Sequence, residues 1–399
     1  MARGTLRGMT TSPAERLFTP AFIMLTLSGL AYFTAAGLII GLTPFFVTGP
    51  LGSDEAGLGL AAAAFSITTL LLRPYAGRLS DRRGRRPLLV AGAAVVAIVI
   101  LAHVLTTSLV VLIGLRLLLG VGEAFFFVAG YAALADLAPR GRTGEALSYN
   151  SLALYLGIAL GPIIGQVLLG IGGFNLAWAG GFALAMVAMI LAMRLPETAA
   201  RLDPNAPKLP LFHRAAIGPG LALFAGVAAM SAYMLLVGPR AERIGLDGWS
   251  LTFLLFGGVV VVSRIVFARL PDRVPPMRLG AFSLGVSAVG LVIAATLPGV
   301  PALLAGSAVL AVGVAFMTPA LFAATFNAVA PSERGAAAGT ATLFIDLGFG
   351  GGPLLAGVVA ASAGIPAAFA VAALVAGIGA VGTLVVPRLA SLPFQPARG

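Results

Sequence analysis

Twelve runs of roughly 20 predominantly apolar residues follow one another along the chain, at 20–46, 57–76, 88–106, 109–134, 147–170, 174–195, 215–239, 249–268, 277–297, 301–328, 336–362 and 366–387. Wound as a helix rising 1.5 Å per residue, such a run matches the roughly 30 Å hydrocarbon core of a bilayer. Composition agrees. Of the 399 residues 59% are hydrophobic and 10% charged, and mean hydropathy is +1.03, whereas soluble domains carry about 25% charged residues. Helices satisfy their own backbone hydrogen bonds in lipid, so the expected fold class is an all-α membrane protein with twelve transmembrane helices.

The absence of cysteine excludes disulfides, thiolate nucleophiles and cysteine metal centres. Of 25 basic residues 24 are arginine, and the single lysine, Lys208, follows Ala206 and Pro207 where a phosphate-cradling loop needs glycines. His103 and His213 fall too far apart in the plan to share a metal; no metal site or cofactor is expected, and the chain is not expected to be an enzyme. The formal net charge of +11 is explained by its placement. With the N-terminus in the cytoplasm, 20 of the 25 basic residues collect on that side, and the other side keeps only Arg240 and Arg243 beside Asp54, Glu55, Glu242 and Asp247. This is the positive-inside asymmetry, so both termini are expected to be cytoplasmic and nucleic acid is not an expected partner. The first run is too long for a signal peptide and is read as a retained helix.

The chain also repeats itself. Arg73, Arg78, Leu79, Asp81 and Arg82 recur at an offset of 191 as Arg264, Arg269, Leu270, Asp272 and Arg273, and Gly157, Gly161 and Pro162 recur as Gly348, Gly352 and Pro353. Residues 1–195 and 215–399 therefore form two six-helix halves, joined by a polar linker at 196–214. Parallel repeats of this kind place a substrate site between the halves near the midplane, where one half can rock against the other.

The stretch Gly77, Arg78, Leu79, Ser80, Asp81, Arg82, Arg83, Gly84, Arg85, Arg86 resembles the signature between the second and third helices of the major facilitator superfamily. The resemblance extends over essentially the whole chain, through the degraded copy at Asp272 and the Leu195, Pro196, Glu197, Thr198 ending of the sixth helix. Within that superfamily the chain is most similar to bacterial drug and metabolite exporters of the sugar-efflux-like and drug:proton antiporter kind. The resemblance implies that Gly77, Asp81, Arg82, Gly84 and Arg85, with Arg142, Asp272 and Arg334, gate the cytoplasmic side. Asp81 is implied to face the positive end of the eleventh helix near Ala336.

Charges inside hydrocarbon are expensive and mark ion paths or substrate contacts. Arg116 and Glu123, seven apart on the fourth helix, share a face about 10 Å apart in rise. Arg116 with Gly120 resembles the family's fourth-helix pattern and is implied to take part in coupling. Glu123 is expected to exchange a proton, or alternatively to form a permanent salt bridge with Arg116. Asp346 on the eleventh helix is a second proton candidate, with Arg73 as a partner that could neutralise it. Arg73 and Arg264 themselves are expected to snorkel to the cytoplasmic interface.

Gly157, Gly161, Pro162 and Gly165 form a small-residue packing seam, echoed by Gly348, Gly352 and Pro353. The first set resembles the superfamily's antiporter motif but departs from it at Ser148 and Gln166. Candidates to line the cavity are Tyr32, Phe33, Phe126, Met230, Tyr233, Met234, Phe316 and Met317, which suit a lipophilic or amphipathic molecule. The expected function is proton-coupled export of such a compound by a monomer in the bacterial cytoplasmic (inner) membrane, with the small-molecule substrate, protons and lipid as partners. An uptake symporter or uniporter of a polar metabolite is the alternative, and a scaffold or receptor without transport the least favoured reading.

Overall fold

The computed structural model describes residues 17–139, 143–198, 213–267, 270–329 and 334–390. Arg142 and most of the linker lie outside these residues, as do the side chains of Asp272 and Arg334. The described residues are helical throughout: α1 Pro20–Thr48, α2 Glu55–Arg83, α3 Arg85–Ala102, α4 Leu109–Leu137, α5 Thr143–Met193, α6 Ile217–Arg243, α7 Leu251–Val266, a one-turn α8 Leu270–Arg273, α9 Pro276–Thr296, α10 Gly299–Asn327, α11 Arg334–Ala363 and α12 Ile365–Ala390. Side-chain caps start several of them. The Thr19 hydroxyl accepts from Phe22 N–H at 3.2 Å and the Asp54 carboxylate from Gly57 N–H at 2.8 Å, each satisfying a free donor of a first turn.

Ten helices among the described residues are long and apolar enough to cross a membrane, and α7 is a shorter apolar helix. One of the ten, the apolar part of α5 at Tyr149–Met193, has 45 residues. Straight, it would extend roughly 68 Å, more than twice a bilayer core. It is broken instead at Gly172 (φ −146°, ψ 22°) and Gly173 (φ 68°, ψ −167°). The second of these conformations is open to glycine with little strain, so α5 is an outward and a return leg, matching the fifth and sixth expected helices. Large apolar side chains such as Leu71, Ile98, Val110 and Leu374 point outward, where lipid would cover them.

Helices α1 to α5 pack into one half and α6 to α12 into the other. Close backbone approach builds each half, because lipid supplies no hydrophobic drive between helices and van der Waals contact must serve. Gly157 of α5 abuts Phe33 and Thr34 of α1, Gly161 touches Thr34 and Leu38, and Gly165 lies against Leu38 and Leu42. In the other half Gly348 and Gly352 of α11 close on Val227 and Ala228 of α6. The two seams occupy equivalent positions in the repeat.

The halves meet along α2 and α11. A Cβ on Gly59 would lie 2.6 Å from the Pro353 carbonyl and 2.9 Å from Gly357 Cα. Seven residues on, Ser66 lies against Gly350, and after another seven Arg73 Nε stands 2.5 Å from Asp346 Oδ2. Further toward the Asp81 end, a Cβ on Gly339 would meet nothing within 4 Å, and one on Gly77 only Val128 of its own half at 4.0 Å. At the Glu55 end the contact is completed by the Arg243–Glu55 ion pair. The Gln166 amide adds to it, donating to the Asp247 carbonyl at 2.7 Å and accepting from Ser250 N–H at 3.0 Å. Among the described residues the halves are thus joined by side-chain contacts at the Glu55 end, and Asp81 at the other end contacts only its own half.

The seam predicts a contrast between two glycines. Gly161→Ala forces α5 away from the α1 backbone and costs about 1–3 kcal/mol, lowering the apparent melting temperature of the detergent-solubilised protein. Gly114→Ala on α4, where an added Cβ meets nothing within 4 Å, leaves it unchanged or slightly raised. Equal effects would contradict the packing.

Candidate functional site

Membrane-buried charge gathers in one layer. Asp346 sits roughly 18 Å along α11 from Arg334, Arg73 roughly 15 Å along α2 from Arg83, and Glu123 at the middle of α4, at 1.5 Å per residue. Arg73 does not snorkel. Its side chain turns inward to pair with Asp346, which is 2% exposed, and its guanidinium lies over the Phe127 ring, 4.6 Å from the centroid. A charge in hydrocarbon costs least when a counter-charge is at hand, and Asp346 is closer than the interface.

Arg116 and Glu123 each turn to α1 rather than to one another, and the salt bridge weighed as an alternative for Glu123 does not form. Glu123 Oε2 accepts from the Tyr32 hydroxyl at 2.8 Å, and the Tyr32 ring stacks on Phe126 with centroids 3.8 Å apart. Arg116 donates instead to the Thr43 hydroxyl. Arg116 and Glu123 are about two turns apart on α4, and their partners Thr43 and Tyr32 about three turns apart on α1, the two long side chains spanning the difference. Glu123 remains within electrostatic reach of both Arg73 and Asp346. A carboxylate held by a neutral hydroxyl, with the inter-half pair in its field, can change charge without breaking a salt bridge of its own.

Arg264 of α7 also turns inward instead of snorkelling. Its Nη1 donates to the Ser151 hydroxyl at 2.5 Å, its Nε to the Ala315 carbonyl at 3.1 Å, and its guanidinium covers the Tyr155 ring at 4.7 Å. Tyr131, stacked on Phe127 with centroids 4.4 Å apart, lies within electrostatic reach of Arg73, Arg264, Glu123 and Tyr155. It ties the two arginine sites into one constellation.

At the Asp81 end, the Asp81 carboxylate pairs with Arg85. Arg85 Nε reaches Asp136 Oδ2 at 3.2 Å, and the Arg85 N–H donates to Glu197 Oε1 at 2.8 Å. The Glu197 carboxylate fills the space beside Gly84 (φ 101°) and sits at the positive N-terminus of α3. The described partners of Asp81 belong to its own half, Arg82 is exposed, and the Ala336 side chain lies outside the described residues.

The cavity candidates divide. Tyr32 and Phe126 stand beside Glu123, and Phe33 contacts Tyr32 edge-on at 5.5 Å while lining the α1–α5 seam. Tyr233 points into the second half, donating to the Ser307 hydroxyl at 2.6 Å beside Phe369. Met317 fills the space at Gly226 between α10 and α6, and Phe316 packs edge-on to Phe267 at 6.2 Å. Met230 and Met234 are buried on α6. An apolar pocket of about 190 Å³ lies among α6, α11 and α12, lined by Phe224, Ala228, Gly351, Leu355, Ala372 and Val375 without a titratable group. The roles of Thr43, Asp136, Ser151 and Tyr131 escape a sequence reading. Tyr155 had a signal, since it occupies the Asp346 position of the repeat.

Comparison with known proteins agrees with this geometry. The family model described as Major Facilitator Superfamily matches residues 24–298 and 272–398. The chain is 28% identical over 388 residues to the uncharacterized MFS-type transporter YhhS of Escherichia coli K12, covering 93% of each. To the uncharacterized MFS-type transporter PA1993 of Pseudomonas aeruginosa it is 31% identical over 363 residues, covering 84% of each. Its fold resembles that of the human organic anion transporter MFSD10 (TM-score 0.73, 19% identity, 92% of this chain and 100% of that one). It also resembles a bacterial homologue of the lysosomal transporter Spinster in an inward-facing, occupied conformation (TM-score 0.77, 15% identity, 94% and 98%). With a family model that matches most of its length, the chain belongs to the Major Facilitator Superfamily and is a multi-pass secondary transporter, not an enzyme.

Proposed function

We propose that this transporter is a proton-coupled exporter of a small amphipathic compound, working by alternating access in a bacterial cytoplasmic membrane with both termini in the cytoplasm. The observation that supports coupling is Glu123, which lies at mid-membrane on a tyrosine hydroxyl and within reach of the only ion pair the described residues place across the seam at that depth. When Glu123 is ionised it competes with Asp346 for Arg73 and weakens the link between α2 and α11. When it is protonated, Arg73 belongs to Asp346 alone and the seam holds. On this reading proton binding favours a state open at the Asp81 end and proton release favours the opposite state; that difference in proton affinity couples the flows. Asp81 pairs with Arg85 of its own half, the arrangement this reading assigns to the opened latch. The antiporter-like seam on α5 supports export over uptake.

Three measurements follow. In everted vesicles with an acid interior, at least one of 2-naphthalenesulfonate, its neutral sulfonamide and tetraphenylphosphonium accumulates through the wild-type protein, and Glu123→Gln abolishes the acid-driven part while preserving downhill exchange. Full driven accumulation in Glu123→Gln removes the coupling role. Asp346→Asn strands Arg73 and costs about 3–5 kcal/mol, read as a lower apparent melting temperature. Adding Arg73→Gln recovers at least about half of that cost, whereas strictly additive effects contradict the pair. Asp81→Asn slows turnover by at least about tenfold, roughly 1.4 kcal/mol in the barrier, with substrate affinity within a few-fold; unchanged turnover leaves the cluster a topological signal alone.

A further inference from the structure

The repeat relates Arg73 to Arg264 and Asp346 to Tyr155 at one offset of 191 residues, and the structure keeps both relations in space. Arg73 reaches across the seam from α2 to Asp346 on α11. Arg264 reaches across it from α7 to Tyr155 on α5. One arm of the design is neutral and the other is not, because the second arm carries an aromatic ring where the first carries a carboxylate.

Among the described residues Arg264 has no carboxylate partner within ion-pair distance. Its two hydrogen bonds, to Ser151 and Ala315, use two of the five N–H donors of a guanidinium. Both Ala315 and Tyr155 lie roughly 18 Å along their helices from the Asp81 end, so the charge sits deep and between the halves. An unneutralised cation at this depth is costly and signals a counter-charge that arrives from outside the chain. The flat face on Tyr155 fixes the guanidinium plane, and the free donors form the fork that a planar or tetrahedral oxyanion accepts. Phe127, Tyr131 and Tyr155 supply aromatic surface in the same layer.

Building on the transporter reading above, we propose that Arg264, oriented by Ser151 and Tyr155, binds the acidic head of an amphipathic organic anion, a carboxylate or sulfonate whose apolar body rests among these rings. The substrate supplies the acid that the repeat lacks at Tyr155.

Thermal stabilisation of the full-length protein in neutral detergent tests this. 2-Naphthalenesulfonate raises the apparent melting temperature, with half-saturation at least about tenfold below that of the sulfonamide, a difference of roughly 1.4 kcal/mol; tetraphenylphosphonium and phosphatidylglycerol give no comparable shift. Arg264→Gln loses the sulfonate response and Arg264→Lys retains part of it. Tyr155→Asp rebuilds the missing pair, satisfies Arg264 internally and loses the response while remaining folded, so the test stands even where Arg264→Gln does not fold. A sulfonate shift that survives in Arg264→Gln or Tyr155→Asp, or one matched by the sulfonamide, the phosphonium or the lipid, overturns the proposal. Acid-driven accumulation of the cation or the neutral compound in place of the anion overturns it too, while leaving proton-coupled export intact; loss of all driven accumulation removes the export reading instead.

Discussion

The cost of holding charge in hydrocarbon organises this molecule. Five charged side chains lie within the helices, Arg73, Arg116, Glu123 and Asp346 in their inner stretches and Arg264 in the last turn of α7, and each must find a partner or a reason to go without one. Two of them neutralise each other across the boundary between halves. The others rest on hydroxyls, a carbonyl and an aromatic ring. A charge on a neutral partner is incompletely compensated, and so it responds to a proton or a ligand where a tight ion pair would not.

Small residues make the response mechanical. The glycine seams of α5 on α1 and of α11 on α6 lock backbone against backbone, so each half moves as a body. Between the halves one line of contact runs along α2 and α11, Gly59 to Gly357, Ser66 to Gly350 and Arg73 to Asp346, and a second along α5 and α7, through Gly257 and Arg264. The Arg73–Asp346 ion pair joins the halves near mid-membrane. In the proposed mechanism its strength bears on how easily the halves rock, and the charge on Glu123 alters that strength.

Much of this was legible in the sequence. Apolar runs gave the helices, and the break between the fifth and sixth fell where Gly172 and Gly173 stand. The 191-residue offset gave the halves, and Arg73 was a possible neutraliser of Asp346. What could not be read was the choice among neighbours. Helical spacing put Arg116 and Glu123 on one face but left open whether they would meet each other or α1, and Tyr32 and Thr43 decided that by offering each a hydroxyl. Snorkelling was the wrong expectation for Arg73 and Arg264, since sequence depth ignores an acceptor on the facing helix. Tyr233 showed the same limit, its helix being assignable but not the side on which its hydroxyl finds Ser307. The departure at Gln166 looked like a defect in a motif; in three dimensions its amide joins the halves at the Glu55 end.

The central claim is that the charge on Glu123 sets which end of the transporter is open. The chain has no cysteine, so spin labels at Arg194→Cys and Arg278→Cys, exposed positions on opposite halves at the Asp81 end, report the opening as a distance distribution by pulsed electron resonance. The account predicts long distances at acid pH, a shift toward short ones as pH rises, and in Glu123→Gln the long distribution at every pH. A Glu123→Gln protein that still closes with rising pH as the wild type does would contradict it.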